Sequence, residues 1–458
     1  MIKKRILWGI LIVSMLSCNY LNRMLIPATP TPPPTATLLP TLTPEPLKPS
    51  FFPPECASVP LATAIPGATS EIATPELEPN PRISKVEQLD IFNELTEAVS
   101  EMYVYPDYNG RNWDRIQARY RAMIEVGLDT ESFYSAMREM IYELGDEHSA
   151  FFSPNEVEEM DRELEGNLEF VGIGISGQTD LKRGRHIVVS TFPGSAADNS
   201  GIKPHDAILK VDGLPVTEDS GYSLRGPKCS AVVMTVQSPG EEPRDVMLIR
   251  HTVQGGLEID ARLVATTDGS KVGYIFIPTF FDEGIPEQID RALENFGYLD
   301  GLILDVRSND GGSNIVVDPI FAHFVSGQLG QFVSREESYP LTVEADPIAN
   351  SLTVPLVVVV SKDTVSYGEI FAGVLRDQGR AKITGETSLG NVEVMYPYDF
   401  QDGSRAWIAS ATFQPENSDV NWEETGIITD FTAFAPWDTF TFETDPSIAA
   451  ALTLLGHN

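Results

Sequence analysis

Val354-Pro-Leu-Val-Val-Val-Val-Ser361 is a continuous apolar run, and the junction at its end sets the architecture of the chain. After Lys362-Asp363-Thr364-Val365 comes Ser366-Tyr-Gly-Glu369, then Ile370, Phe371, Val374 and Leu375 at helical spacing. The pattern predicts a fully buried strand that hands over to a helix at Ser366. A hydroxyl at such a junction can project into a cleft, where the first helical N–H groups stabilise developing negative charge. A serine that simply caps the helix is the alternative reading.

Outward from this stretch the pattern stays mixed. Val272-Gly-Tyr-Ile-Phe-Ile277 and Gly301-Leu-Ile-Leu-Asp-Val306 read as strands, and Ile285, Ile289, Leu293 and Phe296 as one helix face. Glu393 to Tyr398 and Arg405 to Phe413 bracket Asp402-Gly403, a hairpin signal. Nearer the start, Phe92, Leu95, Val99 and Met102 share a helix face, as do Phe133, Met137, Met140, Ile141 and Leu144. Asp129-Thr130 and Gly145 supply start and stop chemistry for the second of these helices. His148 then lies on a loop.

The chain has 458 residues, 42% hydrophobic, with a formal net charge of −34. It is long enough for two or three domains. So acidic a chain offers no basic face for phosphate, which argues against nucleic acid as a partner. No cofactor is expected, and no His or Cys cluster along the chain has metal-ligand spacing.

Met1-Ile-Lys-Lys-Arg5 followed by an apolar run from Ile6 to Leu16 reads as a secretory signal too short to span a membrane. Residues 27–81 are dominated by Pro and Thr and predict an extended, disordered tether. Of the three cysteines, Cys18, Cys56 and Cys229, the last two are expected to be unpaired thiols, since spacing proves no bridge.

Thr364 to Asp377, followed by Gly385-Glu-Thr-Ser-Leu-Gly390, closely resembles the active-site segment of the carboxyl-terminal processing (tail-specific) serine peptidases. The resemblance implies Ser366 as nucleophile. Asp305-Val-Arg-Ser-Asn-Asp-Gly-Gly312 is similar to that family's Asp-x-Arg-x-Asn-x-Gly-Gly turn, implying an oxyanion hole from Gly311 or Gly312 with Tyr367. Ser17-Cys18 resembles a lipoprotein acylation site, with Met15 off-pattern, and implies Cys18 as a lipid anchor in the cell envelope. Phe170-Val-Gly-Ile-Gly-Ile175, Phe192 to Ala197, Gly201 to Gly213 and Leu224-Arg-Gly226 resemble an inserted PDZ domain. There Phe170, Val171, Gly172, Ile173 and Gly174 would capture a peptide's terminal carboxylate beside an edge strand. His205, where the family has glycine, is expected to be a surface loop variant.

One departure matters most. The family's general-base lysine comes directly after Gly390, and here that residue is Asn391, a neutral amide that cannot take the serine's proton. Met395 likewise replaces a usual glutamine. Tricorn-type relatives imply a different base: Leu144-Gly-Asp-Glu-His-Ser149 is similar to the setting of their histidine, and Trp422-Glu-Glu-Thr-Gly-Ile427 to that of their glutamate. His148 would then be the base and Glu423 its orienting partner. A histidine that only packs or hydrogen-bonds is the alternative.

The implied architecture is α/β multidomain: a signal over 1–18, a tether over 19–83, a helical region over 84–165, a PDZ-like β-rich domain over 166–254, and a crotonase-like (spiral β/α) peptidase core over 255–458. The implied function is an envelope-anchored serine endopeptidase acting on C-terminal or unfolded polypeptide segments. A catalytically silent, peptide-binding lipoprotein is the rival.

Overall fold

The valine run is a strand, Leu356–Val360, with every residue buried. A computed structural model describes residues 47–57, 80–146, 148–164, 170–217 and 224–457. In it this strand lies within a six-stranded sheet, in the order Asp260–Val264, Val272–Phe276, Gly301–Asp305, Leu356–Val360, Ala381–Gly385, Phe431–Thr432. The first pair is antiparallel and the rest are parallel. Strands covered on both faces read as unbroken apolar runs rather than alternating ones. Here helices Ile285–Phe296, Asn314–Phe324 and Tyr367–Asp377 supply one layer of core, and Pro446–Leu455 covers the other face through Ile448 and Ala451.

Three capped helices open the described N-terminal region: Lys85–Met102, Trp113–Val126 and Thr130–Tyr142. Ser84 and Glu87 form a capping box on the first, and Asp129 caps the third through Ser132 N–H. Their apolar faces pack on Phe400, Ala406, Ile408 and Ala409, and strand Ala150–Phe152 pairs antiparallel with Arg405–Pro415. The helical region is therefore separate in sequence but shares a core with the C-terminal segment. The hairpin forms as the turn chemistry predicts, Val394–Asp399 pairing with Arg405–Pro415.

The PDZ-like region has its own core around Ile173, Val188, Ile208, Val232 and Leu248. Its main sheet runs Ile175–Asp180, Arg185–Thr191, Ala207–Val211, Ala231–Gln237, Arg244–Ile249, which leaves Ile175–Asp180 at an edge.

Three expectations fail against the structure. Cys56 and Cys229 are not free thiols but form a disulfide. Cys56 is fully buried at the end of a short 3-10 turn, Pro54–Cys56, and Phe51 packs against the PDZ-like core. The tether thus does not run unbroken from 19 to 83; at 47–57 it carries enough apolar surface to dock. Nor is His205 a surface variant. Its ring stacks on Trp437 at 4.4 Å, with Nδ1 2.7 Å from the Trp437 carbonyl oxygen. Arg183 and Arg185 both reach Asp438, so the PDZ-like region is bolted to the core beside this stack. The signal segment and Cys18 lie outside the described residues.

Candidate active site

The turn after Leu356–Val360 is pinned before it reaches Ser366. Thr364 Oγ1 donates to the Val306 carbonyl at 2.8 Å, and Val365 N–H donates to the Asn309 carbonyl at 2.9 Å. The serine's loop and the Asp305–Gly312 loop are thereby tied together. Ser366 itself sits at φ +55°, ψ −122°, directly before helix Tyr367–Asp377. A non-glycine residue in that region costs about 1–3 kcal/mol and persists only where its surroundings impose it. Its hydroxyl does not cap the helix, which removes the capping alternative, and Oγ makes no hydrogen bond among the described residues.

The two glycines of this turn differ in what their N–H groups do. Gly311 N–H donates to Asn309 Oδ1 at 2.9 Å and is already used. Gly312 N–H and Tyr367 N–H have no acceptor among the described residues. Gly312 must be glycine, since a Cβ there would lie 2.0 Å from the Phe280 carbonyl carbon. Asp305 and Arg307 of the same turn serve structure. They form a buried ion pair that Asp445 and Tyr274 complete, and Arg307 also lies 4.7 Å over the Trp437 ring.

His148 is carried by a loop folded around Asp146, whose carboxylate accepts from the backbone N–H of His148 and of Ser149. Glu423 sits on the short helix Trp422–Thr425. Its neighbour Trp422 packs so closely on Gly373 of the serine's helix that a Cβ there would lie 2.7 Å from the indole. The fold brings His148 and Glu423 together, Nε2 standing 3.2 Å from Glu423 Oε1. It does not bring His148 and Ser366 into a hydrogen bond. Nε2 instead also faces Glu393 Oε2, again at 3.2 Å. Asn391 makes no hydrogen bond among the described residues, and Lys362 pairs with its exposed neighbour Asp363.

Sequence reasoning misses Glu393 and Glu369. Glu393 is buried and accepts from Tyr105 OH at 2.6 Å through Oε1. Glu369, on the serine's helix, is fully buried and accepts from Gly390 N–H. Burial pushes each of them up to about 7, with the charge of Glu423 adding to the effect. Burial by itself would lower His148, but its hydrogen bond to Glu423 and the charges of Glu393, Glu423 and Asp146 outweigh that and hold it above its ordinary 6.5. The one visible signal for Glu393 is a carboxylate two residues after Asn391. No such grouping is legible from spacing along the chain, yet one ligand atom each from His148, Glu393 and Glu423 lie within 4.8 Å of one another.

In the PDZ-like region, Gly174 N–H has no acceptor among the described residues, beside the edge strand Ile175–Asp180, whereas Ile173 follows the antiparallel bridge between Gly172 and Arg225. Gly174 holds φ +80° and abuts Ser195, so no Cβ fits there. Phe170–Gly172 pairs with His251–Val253.

Comparison with known proteins finds three family descriptions in order along the chain: Tricorn protease C1 domain over 84–142, PDZ domain over 159–220 and Peptidase family S41 over 271–433. The chain is 29% identical over 397 residues to the carboxyl-terminal-processing protease of a Picosynechococcus species, covering 81% of this chain and 90% of that one. It is 28% identical over 373 residues to the protein of the same name from a Synechocystis species, covering 78% and 84%. Among solved structures it is similar to a photosystem II D1 C-terminal processing protease, with TM-score 0.56, 25% identity, and coverage of 81% and 97%.

Proposed function

We propose, because this chain belongs to peptidase family S41 and is thereby a serine-type peptidase, that it is an envelope-anchored endopeptidase whose PDZ domain selects C-terminal or unfolded polypeptide segments. Ser366 Oγ attacks the scissile carbonyl. Gly312 and Tyr367 N–H groups receive the oxyanion, and His148 takes the serine's proton with Glu423 stabilising the imidazolium. The observation that carries this reading is Ser366 itself, strained at φ +55° and uncapped, beside two unspent N–H donors. For transfer one imidazole nitrogen must reach Oγ while the other keeps Glu423, and catalytic contacts commonly tighten only once substrate is bound. A free Gly174 N–H beside an edge strand suits a peptide's terminal carboxylate and backbone. An acylated Cys18 and the Pro/Thr tether would hold the enzyme at a membrane.

A second reading, a silent peptide-binding relative, is favoured by one fact: with Asn391 replacing lysine, no base among the described residues hydrogen-bonds Ser366 Oγ. A serine-directed phosphonate separates the two. The enzyme forms an adduct on Ser366, and His148→Ala slows it by about 10²–10⁴-fold. An unchanged rate in His148→Ala removes His148 from its role. No adduct on folded wild type leaves the binding protein.

A further inference from the structure

His148, Glu393 and Glu423 converge on one point, and orientation of the base by Glu423 leaves Glu393 without a role there. His148 Nε2 stands 3.2 Å from Glu393 Oε2 and 3.2 Å from Glu423 Oε1, and one ligand atom of each residue lies within 4.8 Å of the other two. Ligand atoms around a tetrahedral zinc ion, at about 2.0–2.2 Å from the metal, lie roughly 3.3 Å apart. Two of the three separations are already there, and the third closes with a small side-chain movement.

Each carboxylate presents one oxygen to this point while its other oxygen is held from outside the cluster. Glu393 Oε1 accepts from Tyr105 OH at 2.6 Å, and Glu423 Oε2 accepts from Val392 N–H at 2.8 Å. Such outer hydrogen bonds are how proteins aim metal ligands. The independent pointer is Glu393 Oε2. Its side chain is only 1% exposed, it is aimed at the cluster, and it accepts no hydrogen bond, the His148 ring at 3.2 Å being its one ion-pair neighbour. A buried carboxylate oxygen left without a donor is costly, and a cation supplies what it lacks. His148 and Glu423, at 13% and 15% side-chain exposure, leave a way in from solvent.

We propose that His148 Nε2, Glu393 Oε2 and Glu423 Oε1 form a binding site for a divalent first-row transition-metal ion, Zn²⁺ by donor type, and that a filled site inhibits the peptidase. One imidazole nitrogen and two carboxylate oxygens suit zinc better than the all-oxygen sets of calcium and magnesium. A metal-bound Nε2 has no lone pair for the Ser366 proton, and the ring is locked away from Oγ. The inhibition rests on His148 being the base; the binding does not.

The test titrates Zn²⁺ into the full chain against a chromophoric chelator. One ion per chain is expected. Glu393→Gln and Glu423→Gln should each weaken binding on the order of a hundredfold, and Tyr105→Phe, which keeps all three ligands, by about 10-fold. His457→Ala, which removes an exposed His–Asp pair, should leave it unchanged. Zinc binding that survives both glutamine variants, each checked for native circular dichroism, or no stoichiometric binding, overturns the site. The second arm tracks the phosphonate adduct on Ser366. Zinc should slow it in wild type, with recovery on chelation. If zinc binds through these residues and the adduct rate is unchanged, inhibition and the His148 base reading fall together while the ion site stands.

Discussion

Ser366 shows how much a single residue can disclose. Its place at a strand-to-helix junction is legible from the apolar run and the helical spacing that flank it, but its backbone strain is not. The strain comes from Thr364 and Val365 being tied to Val306 and Asn309. It predicts that Ser366→Gly is more stable than Ser366→Ala by about 1 kcal/mol, because glycine takes positive φ freely and alanine does not. Equal urea midpoints for the two variants would contradict an imposed strain. The glycine pair divides in the same way: both are legible as a turn, yet only the contact with Asn309 Oδ1 reveals that Gly311 N–H is spent and Gly312 N–H is free. Beyond its place two residues after Asn391, Glu393 is not legible in the sequence, because its neighbours Tyr105, His148 and Glu423 are remote along the chain.

Among the elements, the helix Tyr367–Asp377 is legible from Ile370, Phe371, Val374 and Leu375, all of which are buried. The same helix buries Glu369, held by burial at about 7 against an ordinary 4.5. A carboxyl whose folded-state value lies above its unfolded value favours folding in its neutral form. That stabilisation is complete below about pH 4.5 and is lost as pH rises through about 7. Glu369→Gln, which stays neutral and keeps an acceptor for Gly390 N–H, should therefore gain on wild type as pH rises from 5 to 8. The gain should be on the order of 2–3 kcal/mol, read from denaturant unfolding at each pH. A difference that does not vary with pH would mean Glu369 is not neutral in the fold. By contrast, the pairing of Ala150–Phe152 with Arg405–Pro415 leaves no trace in local pattern, since a short strand carries no register information of its own.

Across the molecule, the PDZ domain is fastened twice: through Arg183, Arg185 and His205 to Trp437 and Asp438, and through Cys56–Cys229 to the segment that precedes the helices. That disulfide joins residues separated by 173 positions, and closing so long a loop restricts the unfolded chain strongly. Cys56→Ser with Cys229→Ser should lower stability by about 2–5 kcal/mol, matching wild type held in reductant. Coincident midpoints for oxidised and double-mutant protein would show that the bridge adds nothing. The order of modules, the buried strands, the amphipathic helices, the glycine turn and the strand-to-helix junction at Ser366 are all written in local sequence, because periodicity and turn chemistry act over a few neighbouring residues. The partner of Cys56, the docking of His205, the glycine N–H that stays free, and the turning of His148 toward two glutamates rather than toward Ser366 are settled only in three dimensions. Each of those is a contact between segments far apart in the chain, whose energy exists only once folding has brought them together.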